Sequence, residues 1–134
     1  MFGIKTTLAD KEFSLFIRDR AEWTCERCYV YYEPPNRGLQ CSHFHGRGNK
    51  GTRFDPENAA ALCYGCHRYF TANPQEHAEW FLKRLGQTKY DSLRVRAKTP
   101  TKVDESLILM GLKAMRQELR KPLSFMPRRR EGTD

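Results

Sequence analysis

The stretch LQCSHFHGRGNKGTRFDPENAAALCYGCHRYF, residues 39–70, decides the fold of this chain. It holds three of the five cysteines and three of the four histidines of the sequence. A structural zinc knuckle would use cysteines in Cys-x-x-Cys pairs and would leave the histidines without a role. A second kind of site is therefore expected beside the cysteine frame.

Two Cys-x-x-Cys pairs form that frame, Cys25 with Cys28 and Cys63 with Cys66. Four thiolates from two such turns make the closed tetrahedral site that is typical of structural zinc. In a reducing cell, cysteines paired in this way are metal ligands more often than disulfides. We therefore predict one structural zinc, and we interpret Cys41, the fifth cysteine, as a small buried residue.

The charge of the chain points to a polyanionic partner. There are 24 Lys and Arg against 16 Asp and Glu, which gives a net charge of +8 and a pI near 9.4. Nucleic acid is favoured over a membrane, because no apolar run approaches the roughly 18 residues of a membrane span. The first residues, MFGIKTTLADKEF, lack the pattern of a signal peptide, so a cytoplasmic location is expected.

Capping residues and hydrophobic periodicity predict the helices. They are expected over 10–21 with Asp10 as N-cap, from Asn73 to about Leu85, and from Thr101 to Pro122, with a turn or short helix at 88–97. The β-prone segments YVYY and LQCSHF predict strands on either side of the turn EPPNRG.

Three residues occur in an order that suggests catalysis: His43 in the segment LQCSHF, Asn58 after a loop, and His67 directly after the second cysteine pair. In this order, and with the flanking cysteines, the chain resembles the HNH nuclease family over residues 25–70. The segments CSHFHGRG and TRFDPENAAALC, with the helix after Asn-Pro, resemble most the phage recombination nucleases of the NinG and Ref kinds.

The resemblance implies an α+β fold with a ββα-metal HNH core and a four-cysteine zinc knuckle, flanked by N-terminal and C-terminal helices. Residues 1–121 would form a single nuclease domain with its core at 25–72. Residues 122–134 would be a basic tail.

The resemblance also implies roles for the three residues. His43 would be the general base, since a neutral imidazole accepts a proton at physiological pH. Asn58 would pin the loop or the base ring, because its amide both donates and accepts. His67 would ligate a catalytic divalent ion, Mg²⁺, Mn²⁺ or Zn²⁺, that holds the scissile phosphate.

The chain departs from the family at Ser42, where many members carry an Asp or His as a second metal ligand. His45 is one candidate for that ligand, because strand alternation would put it on the face of His43. Asp55, brought in by the loop, is another. In an alternative register, His43 is the ligand and His45 is the base.

Phosphate contacts are expected from the loop GRGNKGTRF, which carries Arg47, Lys50 and Arg53, and from Arg68 in the following helix. His77, between acidic residues, is interpreted as part of a solvated helix face.

Two classes of function follow. The first is a metal-dependent endonuclease that cuts DNA in phage recombination or DNA processing, with recombination proteins as candidate partners. The second is a catalytically silent zinc module that binds nucleic acid or a protein.

Overall fold

The computed structural model describes residues 4–121, so the basic tail predicted at 122–134 lies outside the described residues. The predicted α+β class is confirmed. The helices and strands are α1 (Leu8–Arg20), β1 (Leu39–His43), β2 (Ala59–Cys63), α2 (Tyr64–Ala72), α3 (Pro74–Leu85), α4 (Gln87–Lys98) and α5 (Glu105–Leu119). A short 3-10 turn, Pro56–Asn58, precedes β2. None of the described helices is long and apolar enough to cross a bilayer.

The two strands form an antiparallel hairpin with helices on both faces. Leu39 lies opposite Cys63 and His43 lies opposite Ala59. Every residue of β2, AAALC, is buried, and its small alanines leave room for helices on either side. Side chains alternate along β1, so Leu39, Cys41 and His43 point towards α1, whereas Gln40 and Ser42 point towards α2.

The hydrophobic core is continuous from the N-terminal helix to the C-terminal one. Its fully buried large side chains include Phe13, Ile17, Leu39, Leu62 and Phe81. Helix α5 packs against α1, where Arg116 binds both Glu12 and Asp19 at 2.9 Å.

Helix α4 fixes the long loop between the strands. A Cβ atom at Gly51 would overlap the carbonyl oxygen of Arg96, so this close approach of loop and helix requires glycine. The guanidinium of Arg96 also binds Asp55 at 2.8 Å and Glu57 at 3.0 Å. The segment predicted as a turn or short helix is therefore a full helix with a packing role.

Two of the three predicted helix caps are wrong. Thr7 caps α1, and Asp10 is the third helical residue, whose carboxylate closes a capping box with Thr7. Asp104 caps α5 in place of Thr101. Asn73 is the N-cap residue of α3, as predicted, but its side-chain amide donates to the carbonyl of Tyr69 in the helix before it and makes no cap bond to α3. The predicted end of α3 at Leu85, followed by a glycine with φ 84°, is confirmed.

The strand predicted at YVYY is also wrong. Only an isolated bridge joins Tyr31 to Thr24. The segment follows the first cysteine turn, and Tyr29 there has φ 66°, which is incompatible with an extended strand. The hairpin partner of β1 is instead β2, which begins directly after the 3-10 turn.

Candidate metal centre and catalytic site

The two Cys-x-x-Cys turns meet, as predicted. The Sγ atoms of Cys25, Cys28, Cys63 and Cys66 all lie within 4.8 Å of one another. The Sγ atoms of Cys25 and Cys63 each accept the backbone N–H of the cysteine three residues on, at 3.5 and 3.4 Å. The four cysteines could hold a metal ion, and four sulfur ligands are the donor set typical of structural zinc.

The thiols of this cluster differ in their pKa values when no cation is bound. Burial alone would raise the pKa of the Cys25 thiol, but backbone N–H groups of Cys28, Cys63 and Arg27 lower it to about 7. Burial raises the pKa of the Cys66 thiol to about 12. Without a cation the cluster therefore does not ionise as a whole, whereas a bound divalent ion would stabilise all four thiolates.

His43 lies at the end of β1, between α1 and the loop. Its Nε2 atom is 2.9 Å from the carbonyl oxygen of Arg53, and its ring centroid is 5.4 Å from that of Phe13. A carbonyl oxygen only accepts hydrogen bonds, so Nε2 carries the proton and neutral His43 keeps its lone pair on Nδ1. Burial lowers the pKa of His43, although the hydrogen bond to Arg53 opposes this effect. His43 is thus held neutral and ready to accept a proton.

His43 opens onto a basic cavity of about 610 Å³ between α1 and β1. Four cationic side chains line the cavity: Lys11, Arg18, Arg37 and Arg47. Among the described residues, only Arg47 of these four has a carboxylate partner, Asp10 at 3.3 Å.

Sequence reasoning missed the cations that α1 and the turn before β1 contribute to this cavity. Lys11, Ser14 and Arg18 recur at helical spacing, which could have indicated a polar face of α1 towards the site.

His67 lies in the first turn of α2, on the other face of the hairpin. Its Nδ1 atom is 2.6 Å from the side-chain oxygen of Gln40. Because this oxygen accepts, Nδ1 donates and Nε2 keeps the lone pair, which is the arrangement of a metal-ligating histidine. His67 lines a second cavity of about 390 Å³ together with Gln40 and Arg68. Burial lowers the pKa of His67, which keeps the ring neutral.

The donors around His67 fall short of a complete metal site. The Ser42 hydroxyl is on the same face of β1, buried and without a hydrogen-bond partner among the described residues. Among all the residues that the structure describes, the cysteine cluster is the only group of three or more His, Cys, Asp or Glu side chains close enough to hold a metal. A catalytic ion here would have one imidazole and one hydroxyl from the protein and would need water or substrate oxygens to complete its coordination.

His43 and His67 thus lie on opposite faces of the same edge strand. Gln40 lines both the basic cavity in front of His43 and the cavity beside His67. Gln40 is therefore the residue that the two cavities share.

Asn58 is fully buried and ties the loop to the end of β1. Its side-chain oxygen accepts the His45 N–H at 2.8 Å, and its Nδ2 donates to the carbonyls of His45 at 2.8 Å and Thr52 at 3.1 Å. These bonds hold the loop in place, and the ring of His43 is not among the partners of Asn58.

His45 and Asp55, the two candidates for a second metal ligand, make other contacts. Strand β1 ends at His43, so alternation does not place His45 beside it, and the ring of His45 packs on Phe44 at 4.6 Å. Both carboxylate oxygens of Asp55 are engaged, one by Arg96 at 2.8 Å and one by the backbone N–H of Glu57 at 2.9 Å.

The four predicted phosphate-binding residues divide into two kinds. Arg53 is buried, and its guanidinium binds Asp10, with Nε 3.0 Å from Oδ1, so it stabilises the fold. Arg47 is half-buried and also donates to the Ile4 carbonyl at 2.9 Å. Lys50 and Arg68 are exposed and accessible to a ligand.

The interpretation of His77 as a solvated residue is wrong. Its ring stacks on Phe70 with centroids 4.7 Å apart and also contacts Phe44 and Phe81. Its Nε2 atom is buried without a partner among the described residues. Burial, with a smaller contribution from His67, lowers the pKa of His77 to about 4.

No protein-family model matches the chain, and no curated protein or solved structure matches it either. Its function must therefore be inferred from the side chains themselves.

Proposed function

We propose that this protein is a metal-dependent endonuclease of the HNH kind, which hydrolyses phosphodiester bonds in DNA. The observation that carries the proposal is the state of His43, which is a half-buried, neutral imidazole held through Nε2. It lines a cavity with four cationic side chains. A neutral histidine that lines a basic cavity is suited to removing a proton from water beside a phosphodiester.

His43 would act as the general base. Its Nδ1 accepts the proton of the attacking water, and the Arg53 carbonyl then stabilises the imidazolium through the bond that it already makes. The ring need not turn during the step, because the carbonyl and Phe13 fix it before substrate binds.

His67 would hold the catalytic ion through Nε2, and this ion would polarise the scissile phosphate and stabilise the leaving oxygen. Gln40 keeps the His67 ring in the ligating tautomer, and Ser42 adds a hydroxyl on the same face of β1. Magnesium prefers carboxylate oxygens, whereas imidazole suits zinc and nickel, so this donor set favours a softer ion than Mg²⁺.

The cations around His43 would place the DNA backbone. Lys11 and Arg18 of α1 lie on one side of the cavity, and Arg37 precedes β1. None of the three has a salt-bridge partner among the described residues, so their charge is available for phosphate. A strand held there and passing over Gln40 would bring one phosphodiester to the edge of β1, between His43 and His67. Such contacts position the backbone without reading its sequence.

The finer assignments belong to the same proposal. The four-cysteine cluster would hold structural zinc and anchor α2, which carries His67. The resemblance to the NinG and Ref kinds favours a phage recombination or DNA-processing role, in the cytoplasm of a bacterial host and alongside recombination proteins.

A second candidate is a catalytically silent zinc module that binds nucleic acid. Ser42 favours it, because a hydroxyl stands where a carboxylate would complete a metal site. The neutral state of His43, its fixed tautomer and the basic cavity favour the nuclease, since a binding module has no use for a proton acceptor.

Plasmid nicking distinguishes the two candidates. The protein is incubated with supercoiled plasmid and added Mg²⁺, Mn²⁺ or Zn²⁺, next to His43→Ala and to the surface control Lys113→Ala. The nuclease proposal expects nicking that needs an added ion, is lost in His43→Ala and is kept in Lys113→Ala. Equal nicking by all three proteins would identify a contaminant, and no nicking with any ion would favour the silent module.

A further inference from the structure

Tyr29 occupies a backbone position that glycine would fill without strain. Its φ of 66° lies in the left-handed region, which bulky side chains rarely adopt. Its backbone N–H donates to the Cys25 carbonyl at 2.9 Å, so the conformation is imposed by the first cysteine turn. The side chain is 76% exposed, so most of its surface makes no packing contact that would offset the strain. A large aromatic ring at such a position indicates a role outside the chain.

Tyr29 is the first residue of a short exposed segment of apolar side chains. Val30 and Tyr31 follow it and are 51% and 57% exposed, so three consecutive apolar side chains face solvent at the knuckle. The backbone that carries them is held in place: Cys25 donates to the Val30 carbonyl at 2.9 Å, and Tyr31 bridges Thr24. The two tyrosine rings are therefore presented on a rigid turn beside the cysteine cluster.

The chain leads from these rings to the basic cavity. Pro35 and Arg37, a few residues after Tyr31, line the cavity that contains His43. Arg37 is exposed and has no carboxylate partner among the described residues, and the whole chain carries a net charge of +8. Residues 29–37 thus carry exposed aromatic rings and a cation without a carboxylate partner in one segment of the chain, although the Tyr31 hydroxyl donates to Glu33 at 3.3 Å. Proteins bind single-stranded nucleic acid by combining such rings, on which bases stack, with cations that contact phosphates.

We propose that Tyr29 and Tyr31 form a stacking platform for the unpaired bases of a single-stranded nucleic acid. Duplex DNA keeps the faces of its bases covered, so the platform selects substrates that have an unpaired strand next to the basic cavity. The inference rests on the proposed function in taking nucleic acid as the ligand, but it does not depend on cleavage.

Fluorescence anisotropy with labelled oligothymidylate, without added divalent ions, tests this platform. Tyr29→Gly suits the left-handed backbone, so its melting temperature should equal or exceed that of the unchanged protein while its affinity falls. Each lost ring should weaken binding about 5-fold to 150-fold, the range expected for one base–aromatic stack. Tyr29→Phe keeps the ring and should bind normally, as should Leu107→Ser, which removes an exposed apolar side chain from α5. Binding to a duplex of the same length should change little.

Three results would overturn the platform: normal oligothymidylate binding by the Tyr29→Gly/Tyr31→Ser double variant, an equal loss on duplex, or a loss in Tyr29→Phe as large as in Tyr29→Gly. Zinc content and melting temperature, measured on each variant, show whether the turn has kept its fold. If the double variant loses single-strand binding but no protein cleaves DNA, the platform stands and the nuclease proposal fails. If cleavage is normal and the double variant still binds, the platform alone fails.

Discussion

The Nε2 atom of His43 and the carbonyl oxygen of Arg53 lie 2.9 Å apart, and this contact sets the chemistry of the ring. The guanidinium of the same arginine binds Asp10 in α1, with Nε 3.0 Å from Oδ1. The carbonyl that selects the tautomer of His43 is therefore anchored to the helix that forms one wall of the basic cavity. The two contacts of Arg53 thus link the orientation of the His43 ring to the position of α1.

The cysteine cluster is expected to stabilise the centre of the fold. Cys63→Ser should lose zinc and unfold β2 and α2, because structural zinc contributes on the order of 10 kcal/mol, comparable to the net stability of a domain of this size. Elemental analysis and circular dichroism would measure both effects. The matched control is Cys41→Ser, outside the cluster, which should keep one zinc per chain. A full zinc content in Cys63→Ser would contradict the assignment.

His77 should make the fold sensitive to acid. Its pKa is lowered from 6.5 to about 4, so the folded state binds fewer protons than the unfolded state between these values. The stability due to neutral His77 is therefore complete above pH 6.5 and is lost as the pH falls towards 4. His77→Phe keeps an aromatic ring on Phe70 and removes the titration. Urea unfolding between pH 7 and pH 4 should show a shallower loss of stability in this variant, and identical slopes would contradict the prediction.

A carboxylate side chain in place of Ser42 should change which divalent ion best supports cleavage. Ser42 lies on the face of β1 that points to α2, and its hydroxyl has no partner among the described residues. Ser42→Asp would add the ligand that Mg²⁺ prefers, so nicking with Mg²⁺ should increase relative to nicking with Ni²⁺. Ser42→Asn controls for size without adding charge. An unchanged ratio of the two rates in Ser42→Asp would mean that Ser42 is not beside the catalytic ion.

The cavity cations should set the salt dependence of DNA binding. Each phosphate contact contributes roughly 0.9 to the slope of log affinity against log salt on duplex DNA. Lys11→Ala and Arg37→Ala should each lower this slope by about that amount. Lys113→Ala, which removes an exposed cation from α5 outside the cavity, should leave it unchanged. Equal slopes in all four proteins would show that DNA does not enter the cavity.

The short-range patterns of the sequence predicted the parts of the fold that depend on local chemistry. Two Cys-x-x-Cys turns can give one zinc ion its four sulfur ligands only if the turns come together. The cluster was therefore predictable from the cysteine spacing alone. The end of α3 at Gly86 followed from the conformational freedom of glycine.

Long-range packing decided the features that the sequence did not reveal. Asp10 was predicted as the N-cap because a helical pattern follows it. The helix instead begins earlier, with Thr7 as N-cap, and the Asp10 carboxylate binds the distant Arg53. His77 looked solvated because its neighbours in sequence are acidic, whereas Phe44 and Phe70, from other elements, enclose its ring. The cations of the basic cavity come from α1 and from the turn before β1, and no local motif unites them.

The most direct test of the central claim separates the base from the ligand in single-turnover cleavage, with the ion titrated. His43→Ala should lose roughly 100-fold to 10,000-fold in rate at saturating ion while keeping normal metal affinity, because a general base contributes about that much. His67→Ala should instead need more ion and be partly rescued by excess Mn²⁺, and His45→Ala should cleave nearly normally. If His45→Ala loses the rate while His43→Ala does not, the two histidines exchange roles. If none of the three changes alters cleavage by protein freed of contaminating nucleases, the protein is not the nuclease proposed here.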